Sequence, residues 1–143
     1  MKERAVELLV EKIEYLEMIL GAKASYDIYS PLSFNSADII EIQKVVKRMA
    51  EFIGLSNYTF IVSKVSLNHD VGARIELNDH SKEVFVEISN DIAHSSEVIL
   101  AALAHELSHK YIQINLAVPS KWKKFEYENE VLTDITAIFL GLD

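Results

Sequence analysis

The chain has 143 residues, of which 50% are hydrophobic and 25% charged, with a net charge of −8 and no cysteine. That is enough apolar matter for one core and too little length for two. The acidic balance argues against nucleic acid as a partner, and the missing thiols exclude disulfides and thiolate metal sites.

The first residues, Met1-Lys2-Glu3-Arg4, open no apolar leader, and no run approaches membrane-spanning length. The expectation is one cytoplasmic domain over 1–143 with no membrane partner. Ala5, Leu8, Leu9, Ile13, Leu16, Ile19 and Leu20 recur at helical spacing, with Gly21 as terminator. A connector carrying Pro31 spans 22–35. A second amphipathic helix is predicted from about Ser36 to Phe52, capped by Asn35 or Ser36 and closed by Gly54. Tyr58 to Val65 reads as a strand, and Arg74–Leu77 and Glu83–Ile88 alternate around Asn78-Asp79-His80-Ser81 as a hairpin. Ser95 or Ser96 then caps a third helix, and Pro119 breaks the loop behind it. The only basic cluster, Lys121-Trp122-Lys123-Lys124, precedes a final helix that runs to Gly141. That helix ends Ile138-Phe139-Leu140-Gly141-Leu142-Asp143 with little cap. Such an ending is expected where a longer parent continues or where an apolar terminus mediates self-association.

The third helix carries His105-Glu106-Leu107-Ser108-His109, an HExxH. Imidazoles four residues apart lie on one helical face, with Cβ atoms about 5–6 Å apart. Both can therefore reach one metal ion at roughly 2.0–2.1 Å. Glu106, one residue round the helix, is placed to touch a metal-bound water as a general base. The preceding Val98-Ile99-Leu100-Ala101-Ala102-Leu103-Ala104 marks a buried helix, and its alanines suit close approach to a sheet.

A catalytic zinc site takes three protein ligands and keeps one position open; without Cys, the third must be His, Asp or Glu. In Asn129-Glu130-Val131-Leu132-Thr133-Asp134, Glu130 and Asp134 share one face of a mostly apolar helix. Burying that carboxylate pair requires compensation, such as a metal for Glu130 and a histidine N–H for Asp134. Glu126, four residues before Glu130, is an alternative third ligand at the polar start of the helix. His69, His80 and His94 fall in predicted turns and read as solvated loop residues.

HELSH followed by NEVLTD resembles the gluzincin metallopeptidases, the thermolysin-like group, whose pattern is HExxH and then a Glu ligand with an Asp four residues later. The resemblance covers the last third of the chain, and twenty residues separate His109 from Glu130. It implies that His105, His109 and Glu130 bind zinc, that Glu106 activates the water, and that Asp134 orients the ring of His105. A metzincin would carry Gly and His where this chain has Ile112 and Asn115, and no GxMEN-type strand motif precedes the helix. The helical C-terminal domain of thermolysin-like enzymes, which supplies an oxyanion-stabilising His, has no counterpart before Asp143. The chain is thus similar to the single-domain minigluzincins.

The implied fold is α+β and zincin-like. It comprises two N-terminal helices, a small, mostly antiparallel three-stranded sheet, the HExxH helix and a C-terminal helix bearing the Glu ligand. The implied activity is zinc-dependent hydrolysis of a peptide or protein substrate. Zincins hold the substrate along an edge strand, and the strand ending Val86-Glu87-Ile88 is the expected one. Tyr127, three residues before Glu130, is a candidate for stabilising the oxyanion, a packed aromatic being its plainer role. Two other readings fit the same residues: a zincin-fold metal-binding module that regulates or docks without proteolysis, and a zinc hydrolase acting on something other than peptide.

Overall fold

The structure, a computed structural model, describes residues 2–20, 33–67, 72–77, 81–92, 95–115 and 126–142. In the first and last helices the described side chains are those of residues 6–18 and 130–139. The predicted Gly21 terminator, most of the 22–35 connector, His69, His80, His94, Pro119, the basic run 121–124, and the side chains of Glu126 and Tyr127 lie outside them.

The described elements are helices α1 (Lys2–Leu20) and α2 (Ile39–Phe52) and strands β1 (Thr59–Val65), β2 (Ala73–Ile75) and β3 (Glu83–Ser89). A 3-10 turn at Asn90–Ile92 follows, then helices α3 (Ser96–Asn115) and α4 (Glu126–Phe139). The order helix, helix, three strands, helix, helix is the one the periodicity predicts.

Asp38 caps α2, its carboxylate accepting the N–H of Ile40 at 2.9 Å. The predicted Asn35 instead builds the turn before the helix, accepting the N–H of Ala37 on its side chain and that of Asp38 on its carbonyl. Asn readily makes such a turn with its own backbone, which leaves the cap to the next acidic residue. The C-terminus of α2 closes as expected at Gly54, whose φ of +84° an L side chain would resist. There Leu55 N–H reaches Ala50 O at 2.8 Å and Gly54 N–H reaches Glu51 O at 3.1 Å, the paired bonds of a Schellman motif. Helix α4 ends in the same way at Gly141 (φ +83°), with Leu142 N–H on Ala137 O and Gly141 N–H on Ile138 O. The final helix is therefore well capped, contrary to the sequence expectation.

The sheet departs from the expected mostly antiparallel arrangement. Its order is β1-β3-β2, with β1 parallel to β3 over seven residue pairs and β2 antiparallel to β3 over three. The predicted hairpin exists as β2–β3. It is turned so that β3 lies in the centre, and the 66–82 connection is long enough for the parallel crossover. Alternation in sequence reports one-sided burial, which both pairings share. Phe60, Val62, Val84, Val86 and Ile88 line the buried face, while Ile61 and Phe85 stand on the other.

Helices α2 and α3 cover the buried face through Ile42, Val45, Val46 and Met49 and through Ile99, Leu103 and Leu107. Side chains buried to this degree stabilise by about 1.5–3 kcal/mol each, which fixes the rotation of α3 on the sheet. At 100° per residue, His105 then points about 200° away from Leu103, off the sheet and toward α4. Helix α4 packs on that side, and α1 packs on α4. A second cluster of Tyr15, Leu16, Ile112 and Leu132 joins the three helices.

Helix α1 buries Leu8 and Leu16 of its predicted apolar set and not Leu9 or Ile13. Lys12 and Tyr15 are buried with them, while Leu9 and Ile13 are more than 40% exposed, along with Val6 and Val10. Its apolar residues are spread over more than one face, and α4 covers a narrow stripe.

Candidate metal centre

Ser95 places the start of α3, its hydroxyl accepting the N–H of Val98 at 3.3 Å. From there the helix brings His105 and His109 to the α4 side, their ring centroids 4.7 Å apart and their planes near perpendicular. Small residues let the helices approach closely. Ser108 and Thr136 are fully buried at this level and satisfy their hydroxyls on the carbonyls of Ala104 and Leu132, each at 2.7 Å. Of the alanines expected to face the sheet, Ala104 is buried and Ala101 is exposed.

Glu130 of α4 reaches both rings. Its carboxylate oxygens lie 2.9 Å from Nε2 of His105 and 3.4 Å from Nε2 of His109, and the two Nε2 atoms are 3.2 Å apart. The donor atoms of these three residues all fall within 4.8 Å of one another and could hold a metal ion. Adjacent ligands around a tetrahedral ion with bonds of about 2.0–2.1 Å stand roughly 3.3 Å apart, so the observed separations fit within a few tenths of an ångström.

The hydrogen bonds behind the rings set their chemistry. Nδ1–H of His105 donates to Oδ1 of Asp134 at 3.0 Å, because an ionised carboxylate only accepts. In the neutral ring, Nε2 then presents its lone pair to the cluster. The Thr133 hydroxyl lies 3.3 Å from Nδ1 of His109, which leaves that ring's Nε2 also facing inward. The two Nε2 atoms and the Glu130 carboxylate oxygens converge on one point, an arrangement that a cation suits. Thr133 was not singled out from sequence. The signal was its place three residues after Glu130, which puts it on the same helical face.

Burial pushes the Glu106 carboxyl up to about 7, the His105 charge opposing this and the Glu130 charge adding to it. Burial likewise lowers the pKa of His109, reinforced by His105 and partly offset by Glu130 and Asp134. A low basicity keeps that ring neutral and available as a ligand. Asp134 is 70% exposed, so its contact with His105 adds little stability.

The strand expected to offer an open edge, β3, is paired on both sides and has no edge to give along residues 86–88. Of the hairpin, β2 is the edge. Its residues Gly72 and Glu76 bond across to Ser89 and Phe85, so by antiparallel alternation the main-chain groups of Ala73 and Ile75 face outward. The outer edge of β1 is partly occupied by Gln43 of α2, whose amide bonds Phe60 O and accepts the Val62 N–H at 2.9 Å. Among the described residues, no helix is long and apolar enough to cross a membrane. Comparison with protein-family models, with curated proteins and with solved structures gave no match to this chain.

Proposed function

We propose that this chain is a zinc-dependent metallopeptidase of the gluzincin type, with His105, His109 and Glu130 as ligands and Glu106 as general base. The observation that carries the reading is the convergence of the two imidazoles and Glu130, with the half-buried Glu106 carboxyl on the same helix. His, His and Glu without Cys is a donor set suited to catalytic zinc. Bound there, zinc would polarise a scissile carbonyl and acidify a water molecule.

The residues divide the remaining work. Glu106 takes the proton of the attacking water and passes it to the leaving amine. Asp134 and Thr133 hold the two imidazoles with their Nε2 atoms inward. The outward main-chain groups of Ala73 and Ile75 on β2 hold an extended substrate by strand addition.

The test is hydrolysis of an unfolded casein-type substrate by zinc-loaded protein. Activity should vanish with a chelator and return with zinc. Glu106→Gln should keep the metal and lose the activity. Full activity in that variant would remove Glu106 from the chemistry.

A metal-binding docking module is the second reading, and the exposure of Val6, Leu9, Val10 and Ile13 along α1 favours it. In that case the wild type would bind zinc and cleave nothing.

A further inference from the structure

Gln113 of helix α3 reaches the chain just past the edge strand. Nε2–H of Gln113 donates to the carbonyl of Leu77, two residues beyond β2, at 2.5 Å. The amide is held in that sense by its neighbour. Lys110, 1% exposed, donates its ammonium to Oε1 of Gln113 at 2.6 Å. An ammonium only donates, so it fixes the amide oxygen on its own side and turns the NH2 toward Leu77. The same ammonium lies 5.9 Å from the ring centre of Tyr58, just before β1, so the anchor is itself tied to the sheet.

Placement connects this latch to the candidate chemistry. Gln113 is seven residues after Glu106 and four after His109, so the three occupy one strip of the helix. The C-terminal end of β2 is thereby pinned alongside the strip that carries the proposed general base. On its other side β2 is a three-residue strand paired to β3, its hydrogen bonding ending with those of Gly72 and Glu76. A strand this short, bonded along one side, needs a second attachment if its outer edge is to keep a fixed height above the helix.

We infer that Gln113, oriented by Lys110, is a positioning residue that fixes the outer edge of β2 for an extended peptide. This rests on the peptidase reading for its substrate, while the latch itself is a statement about β2. The hydrogen bonds of the Gln113 amide go to Leu77 and Lys110 rather than to the proposed metal ligands. Its removal should weaken the capture of peptide and leave the chemical step alone.

The experiment uses the zinc-loaded full chain, an unfolded casein-type peptide, and the variants Gln113→Glu and Gln113→Leu. Glutamate keeps a partner for Lys110 but cannot donate to Leu77, so it isolates the bond that matters. Both variants should retain zinc and kcat, raise KM about three- to ten-fold, and speed amide hydrogen exchange across 73–77. Wild-type KM and exchange in Gln113→Glu would overturn the inference, as would a loss of kcat with KM unchanged. If the wild type cleaves nothing, the peptidase reading falls separately. The latch is then judged from exchange at 73–77 and from the affinity of the same peptide. Faster exchange with weaker binding in Gln113→Glu upholds it, and no change in either refutes it.

Discussion

Replacing Glu106 with Gln in the metal-free protein should raise its stability, increasingly so as the pH rises. The wild-type carboxyl titrates at about 7 in the fold against an ordinary 4.5, chiefly because it is desolvated. A folded pKa above the unfolded one means that the native state holds the proton more tightly. Below pH 4.5 both states are protonated and Glu106 costs nothing. Between 4.5 and about 7 the unfolded chain releases its proton while the native state keeps it, so stability falls. Above that window the penalty is constant. Its upper bound is about 3.4 kcal/mol at 1.36 kcal/mol per pH unit, and solvent reaching part of the carboxyl reduces it to about 2 kcal/mol. Gln has nearly the same shape and no charge, so it removes the penalty. Urea unfolding of both proteins in chelator at pH 5 and pH 8 measures the effect. The variant should lead by only about 0.5 kcal/mol at pH 5 and by about 2 kcal/mol at pH 8. With zinc added the gap should narrow, since a divalent charge nearby favours the carboxylate. Parallel stability curves for the two proteins across this range would refute the claim that Glu106 is held in a desolvated place.

Asp134→Asn should leave the fold intact and weaken zinc binding about 10- to 100-fold, the usual cost of losing the carboxylate behind a ligating imidazole. Competition with a chromophoric chelator reads this directly. Gln43→Leu should strip the outer edge of β1 of its amide partner at Phe60 and Val62. Losing those bonds should cost about 1–3 kcal/mol and expose a pairing edge, seen as lower thermal stability and concentration-dependent association in sedimentation.

The candidate site was largely legible because its signals are local. HExxH places two rings on one face at any helical position, and Glu130 with Asp134 repeats that spacing on the next helix. Packing made the difference elsewhere. Thr133 and Gln113 matter through partners on other elements, 24 and 36 residues away in sequence, and neither has a periodic signature. The sheet was misread because Val84, Val86 and Ile88 alternate in the same way whether β1 beside them runs parallel or antiparallel. The buried face of α1 is only partly legible, for a related reason. Its apolar residues outnumber the positions one neighbouring helix can cover, so the buried choice of Leu8, Lys12, Tyr15 and Leu16 is made by α4. The unforeseen cap at Gly141 follows from hydrogen bonds to Ala137 and Ile138 that composition alone does not display.

Calorimetric titration of zinc into chelator-stripped protein addresses the metal cluster most directly. Binding of one zinc ion per chain is expected for the wild type and for Glu106→Gln, with binding abolished or sharply weakened in His109→Ala and Glu130→Ala. Absence of zinc binding in the wild type, or wild-type affinity in Glu130→Ala, would contradict the assignment of His105, His109 and Glu130 as one metal centre.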